Sequence, residues 1–133
     1  MMDARSLLGV VATLENAGVP LWSDGGWGID ALVGEQTREH DDLDCVIALC
    51  DAPIPRDALA ALGFIVSLDE LPTHFVVRDR CVRRIDFHTV TFDAIGAATQ
   101  RLQNGTMAPY RAHGFTGFGH ITGVRVPCLT EAV

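Results

Sequence analysis

Residues Asp42 to Leu49 alternate without a break: Leu43, Cys45, Ile47 and Leu49 fall on one face of an extended chain, and Asp42, Asp44, Val46 and Ala48 on the other. A period of two marks a strand with one buried face, and the opposite face here begins with two carboxylates. Side chains two positions apart on a strand project in the same direction, about 6–7 Å apart along the backbone. Like charges held together on a sheet are unfavourable unless a cation sits between them. Magnesium suits such a pair, because it takes carboxylate oxygens together with substrate phosphates. Alone, Asp42 and Asp44 read more readily as the solvent-facing edge of a strand, so the surrounding segments must decide.

Those segments alternate between helical and extended patterns. Ala4 to Asn16 carries Leu7, Leu8, Val11 and Leu14 at helical spacing and stops at Gly18. Val19 to Ser23 reads as a short strand. Gly25-Gly26 breaks it, and Trp27 to Val33 reads as a short helix ended by Gly34, with Ile29, Leu32 and Val33 on one side. Gln36 to Asp41 is a polar connection. Further on, Arg56 to Leu62 is helical and closed by Gly63. Phe64 to Val66, Phe75 to Val77 and Val82 to Val90 are strand-like, with a turn at Asp79 and Arg80. Phe92 to Gln100 reads as a short helix. From Gly105 onward, Gly114, Gly117, Gly119 and Gly123 punctuate hairpins. Pro127 to Ala132 reads as a strand end followed by a helix start capped by Thr130. The 133 residues are enough to bury roughly two-thirds of the unfolded surface, as one α+β domain on a mixed or antiparallel sheet.

Chemistry concentrates in three places. Asp86 lies on the Val82 to Val90 strand with His88 on the same face, and it supplies a third carboxylate. Two carboxylates from one strand and one from another is the set a two-metal phosphoryl-transfer site requires; Arg83 and Arg84 offer Asp86 an ordinary ion pair as the competing role. Gly25-Gly26 at a strand-to-helix junction lets backbone N–H groups approach an anion at a helix N-terminus, although a turn needing positive φ also explains the glycines. Asp30 reads as a structural partner of Arg38, and Arg38 is divided between that pairing and phosphate contact. His40 and His88 flank the carboxylates and suit hydrogen-bonding support. Trp22 and Trp27 read as core, whereas His74, His113 and His120 have no readable assignment.

Composition removes several classes. Ten basic residues against seventeen acidic, a net charge of −7, argue against a nucleic-acid-wrapping protein. No apolar run reaches the ~20 residues of a membrane span, and Met1 to Arg5 does not resemble a secretion signal, so the expectation is a cytoplasmic protein without a membrane partner. Cys45, Cys50, Cys81 and Cys128 form no CxxC pair and read as reduced, mostly buried thiols.

Taken together, Gly25-Gly26-Trp27, Asp30, Arg38, His40 and Asp42-Leu43-Asp44 resemble the signature of the DNA polymerase β nucleotidyltransferase superfamily. More narrowly, Gly25 to Gly34 and Thr37 to Asp44 are similar to the small lincosamide and aminoglycoside 2''-adenylyltransferases, and Arg84 to His88 resembles that group's third-carboxylate strand. The resemblance runs from about Leu7 to Thr130. It implies the nucleotidyltransferase fold, a small mixed sheet flanked by helices. It implies transfer of AMP from ATP to a hydroxyl of a small acceptor, an antibiotic of the lincosamide or aminoglycoside type, with release of pyrophosphate. Asp42, Asp44 and Asp86 would hold two Mg2+ ions, with Asp86 also acting at the acceptor hydroxyl as general base, metal ligand or both. Gly25, Gly26 and Arg38 would hold the triphosphate.

The resemblance further implies that relatives continue past Cys128-Leu129-Thr130 with several tens of mostly helical residues that help build the acceptor pocket. Residues 1–133 therefore read as a single nucleotidyltransferase domain lacking that helical part, with a homodimer as the expected assembly. Two rivals accompany this reading: a catalytically weak or inactive nucleotide-binding member, and a nucleotidyltransferase that modifies a protein.

Overall fold

A computed structural model describes residues 1–130. Helix α1 (Ala4–Asn16) forms because Leu7, Val10, Val11 and Leu14 recur at helical spacing, and all four are buried. Asp3 caps it, Oδ1 accepting the Ser6 N–H at 2.8 Å. The chain continues through β1 (Trp22–Asp24), α2 (Gly25–Val33), β2 (Asp42–Ala48), α3 (Pro53–Ala60), β3 (Ile65–Glu70), β4 (His74–Arg78) and β5 (Arg84–Phe92). It ends in two hairpins, β6 (Ala98–Arg101) with β7 (Met107–Tyr110) and β8 (Phe118–Ile121) with β9 (Val124–Pro127).

The main sheet runs in the order β1-β2-β5-β4-β3, and β6 extends it by pairing with the end of β5. Only β2 and β5 are parallel; the other pairings are antiparallel. Parallel neighbours need a long crossover, here supplied by α3 and the β3–β4 hairpin. One face of the sheet is largely apolar: Leu43, Cys45 and Ile47 of β2, Ile85 and Phe87 of β5 and Phe75 and Val77 of β4 form one cluster with the buried faces of the three helices. The opposite face carries the carboxylates at one end. Farther along it holds a smaller apolar cluster of Val46, Val90, Ala98, Tyr110 and Leu129, with Trp22, Phe92 and Phe115 packed against them. The mixed sheet with flanking helices is the α+β architecture expected, and among the described residues no helix is long and apolar enough to cross a membrane.

Several expectations need correction. Phe92 to Gln100 is not helical: Asp93 Oδ1 accepts the N–H groups of Ile95 at 2.9 Å and Ala97 at 3.1 Å, Gly96 takes φ 87°, and the chain returns as β6 with Ala98 opposite Phe92. An aspartate turn followed by a glycine with positive φ outweighs the apolar spacing. The Ile29, Leu32 and Val33 side of α2 faces solvent, and Trp27, Gly28, Asp30 and Ala31 are buried instead. Two of the four thiols, Cys50 and Cys81, are exposed. β3 extends to Glu70, farther than the Phe64 to Val66 pattern indicates. The helix start expected after Thr130 lies outside the described residues.

Asp30 does not pair with Arg38. Its carboxylate, only 2% exposed, meets His40 Nε2 at 2.6 Å and accepts from Thr37 N–H at 2.9 Å and Thr37 Oγ1 at 2.6 Å. Burial would raise its pKa, but the hydrogen bonds from His40 and Thr37 more than offset it and hold Asp30 at about 2. This latch fixes the loop between α2 and β2, which carries Arg38. Asp30→Asn should cost about 1–3 kcal/mol at pH 7, read by urea denaturation. A depressed folded pKa contributes stability that is full above the unfolded value of 3.8 and fades as pH falls toward about 2. The stability gap between wild type and Asp30→Asn should therefore narrow across that interval; a constant gap would refute the latch.

Candidate active site

The parallel register of β2 and β5 places Asp44 directly opposite Asp86, and the antiparallel register of β1 places Asp24 opposite Asp44. Three carboxylates thus stand in one row across the sheet. Asp42 occupies the next position along the same face, opposite Arg84, which is itself opposite Arg78. Among the described residues, donor atoms of Asp44, Asp86 and His88 approach within 4.8 Å of one another, all from partly buried side chains. His88 Nε2 lies 3.3 Å from Asp44 Oδ1 and 3.8 Å from Asp86 Oδ2, which is the supporting position expected of it.

The crowding has electrostatic consequences. Burial and then the Asp44 charge raise the pKa of Asp42, with Asp86 and Asp41 adding to the effect and Arg84 opposing it. Burial of the His88 ring disfavours its charged form, yet the hydrogen bond to Asp44 and the charges of Asp86, Asp44 and Asp24 outweigh this and raise its pKa. A face that concentrates carboxylates and desolvates them partly is one that could hold a cation.

The glycines sit against this row. Gly25 adopts φ 61° as the first residue of α2, and a Cβ built there would collide with Asp44 Oδ2. At Gly26 a Cβ would lie 2.5 Å from His40 Nδ1 and 2.9 Å from Arg38 Nη2. Of the expected residues, Gly25 sits against Asp44, Gly26 against Arg38, and Asp44 opposite Asp86, whereas Asp42 stands two residues along the same face, outside the group whose donor atoms lie within 4.8 Å of one another. The donor set fits magnesium, being dominated by carboxylate oxygen, with the bare Gly25 backbone leaving Asp44 Oδ2 accessible.

Four surrounding residues, His74, Glu70, Gln100 and Tyr110, escape sequence reasoning. His74 on β4 lies opposite His88; its Nδ1 is 2.8 Å from Asp86 Oδ1 and its Nε2 is 2.7 Å from Glu70 Oε1. Burial lowers the pKa of His74, but its bonds to Asp86 and Glu70 prevail and raise it. Asp86 accordingly pairs with His74, whereas Arg83 is engaged by Asp79 at 2.6 Å and not by Asp86. On the other flank Gln100 donates to the Thr73 carbonyl at 2.9 Å, lies 3.5 Å from His88 Nδ1, and accepts from the Tyr110 hydroxyl at 3.0 Å. Burial, together with the Asp24 charge, pushes the Tyr110 hydroxyl up to about 12 and keeps it a donor. The only available signal for His74 was its alternation with Phe75 and Val77.

Known proteins resemble this chain along nearly its whole length. A family model described as aminoglycoside-2''-adenylyltransferase matches residues 6–132. A lincosamide resistance protein of Staphylococcus haemolyticus is 24% identical over 127 residues, spanning 96% of this chain and 78% of that protein. A 2''-aminoglycoside nucleotidyltransferase of Escherichia coli is 49% identical over 35 residues, which cover 26% of this chain and 20% of that protein. The crystal structure of the lincosamide antibiotic adenylyltransferase LnuA, bound to lincomycin, superposes with a TM-score of 0.85 at 22% identity, covering 97% of this chain and 81% of that one. The last likeness is one of fold.

Gly25→Ala tests the cradle. Placing an alanine at positive φ should destabilise the protein by about 1–2 kcal/mol and displace Asp44. The thermal shift produced by Mn2+ should shrink beyond that loss of stability, whereas an undiminished shift would show that Gly25 does not shape the site.

Proposed function

The chain belongs to the aminoglycoside-2''-adenylyltransferase family of nucleotidyltransferases, and we propose that it transfers AMP from ATP to a hydroxyl of a small antibiotic of the lincosamide or aminoglycoside class. The observation that carries this reading is the pairing of Asp44 with Asp86 on adjacent parallel strands, faced by the N-terminus of α2. Asp42, Asp44 and Asp86 would hold Mg2+, which when bound neutralises phosphate charge and stabilises the displacement at phosphorus.

The remaining work falls to the chain itself. The backbone N–H groups at Gly25 and Gly26 and the guanidinium of Arg38 bind the phosphate oxygens of the donor, helped by the positive end of α2. Asp86 Oδ1 is engaged by His74, so Oδ2 is the atom offered to the acceptor hydroxyl. As the acceptor oxygen bonds to the α-phosphorus, the bond to the pyrophosphate oxygen breaks and the hydroxyl proton passes to Asp86. His88 holds Asp44 by a hydrogen bond and stands 3.8 Å from Asp86 Oδ2.

Pyrophosphate release from ATP and Mg2+, screened over lincosamides and aminoglycosides, tests the reading directly. One acceptor should give release together with an adenylylated product of matching mass. Asp44→Asn and Asp86→Asn should each lower the rate about a hundredfold or more with an unchanged circular dichroism spectrum. Retained transfer in either variant would refute the assignment, and label appearing in a protein band would select protein modification instead.

A further inference from the structure

We propose that Glu70 and His74 are positioning residues that hold the Asp86 carboxylate in its working orientation, an inference resting on the role given to Asp86 above. The β3, β4 and β5 ladders put the three residues in line, with Glu70 opposite His74 on β3 and β4 and His74 one pleat from Asp86 on β4 and β5. The His74 ring is engaged at both nitrogens, 2.7 Å from Glu70 Oε1 and 2.8 Å from Asp86 Oδ1. It also stacks on His88 with ring centroids 6.1 Å apart and planes 15° from parallel. A ring engaged at both ends cannot turn without breaking two charge-assisted bonds.

Asp86 needs this restraint. Among the described residues its carboxylate makes no hydrogen bond except that to His74, and His88 stands 3.8 Å from Oδ2. Released from His74, the side chain could rotate about its terminal torsion, which is broad and weakly restrained, and exchange the oxygen it presents. The strands do not require the contact for cohesion, because β4 and β5 are already joined by a five-residue backbone register from His74 to Arg78. The bond from His74 therefore fixes which oxygen of Asp86 faces the acceptor and the cation, and Glu70 fixes His74. Carboxylate–histidine partners of this kind orient ligands from outside the coordination sphere.

Three variants test the inference: His74→Asn, Glu70→Ala and Glu70→Gln. Each is first checked for a cooperative thermal transition; the Glu70 side chain is 39% exposed, so its variants remain informative if His74→Asn does not fold. Two quantities are read, kcat for adenylyl transfer and the affinity of the nucleotide-free protein for Mn2+ measured by electron paramagnetic resonance. His74→Asn and Glu70→Ala should lower kcat and weaken Mn2+ binding by about tenfold or more, with KM for ATP little changed. Glu70→Gln keeps an oxygen to accept from His74 Nε2 and should recover most of both. Folded His74→Asn and Glu70→Ala proteins with wild-type kcat and wild-type Mn2+ affinity would overturn the proposal, as would a Glu70→Gln variant as impaired as Glu70→Ala. A wild-type protein that neither transfers AMP nor binds Mn2+ would instead overturn the reading of the site, and this inference with it.

Discussion

Parallel pairing of β2 with β5 brings Asp44 and Asp86 onto neighbouring strands at the same level, and nothing in the backbone ladder relieves the repulsion between them. Two arrangements around the pair do so. His88 projects from β5 one pleat along and reaches both carboxylates, and the sheet face stays partly open to water, which keeps the desolvation of the acids moderate. The apolar face directly beneath provides the opposing force. Leu43, Cys45, Ile47, Ile85 and Phe87 are wholly buried, and their burial fixes the register that forces the acids together. Hydrophobic packing on one side of the sheet thus supports an electrostatically unfavourable arrangement on the other.

The same division of labour extends outward. Asp30 reads in sequence as a structural partner of Arg38, yet it is buried and locked to His40 and Thr37, and its task is to hold the loop from which Arg38 reaches Gly26. Trp27 packs against His40, with ring centroids 4.8 Å apart, and donates to the Met2 carbonyl at 3.1 Å, which ties that loop to the N-terminus. On the far flank, Tyr110 and Gln100 link the β6–β7 hairpin to His88. The acids are flanked by polar chains that begin in separate parts of the sequence, and two of them, through His74 and through Gln100, end on β5.

What the sequence discloses follows from how local the cause is. The Asp42 to Ala48 strand, the α1 helix and the Gly25-Gly26 junction are written in side-chain period and in glycine chemistry, and they are read correctly over short windows. The pairing of Asp86 with Asp44 is non-local, yet the shared alternation of the two strands and the family resemblance point to it. His74 is invisible because its role depends on which residue of β5 it faces, and antiparallel register is set by packing far from either residue. The partner of Asp30 is misassigned for a related reason: Arg38 and His40 both lie within reach in sequence, and only the path of the loop decides between them. The stretch after Phe92 misleads because helical apolar spacing survives in a segment whose Asp93 and Gly96 favour a turn.

Asp44 and Asp86 are 42 residues apart in sequence, and the intervening chain holds α3, β3 and β4. Any ligand that spans the two carboxylates closes this loop in the folded protein much as a disulfide would, without depending on the redox state of its surroundings. It acts as a removable cross-link: present, it adds its own binding free energy to the resistance of the whole domain to unfolding, and withdrawn, it leaves the crossover held by packing, the strand ladders and side-chain bonds such as that of His74 to Asp86. Occupancy of this small polar patch is in that sense a property of the entire sheet.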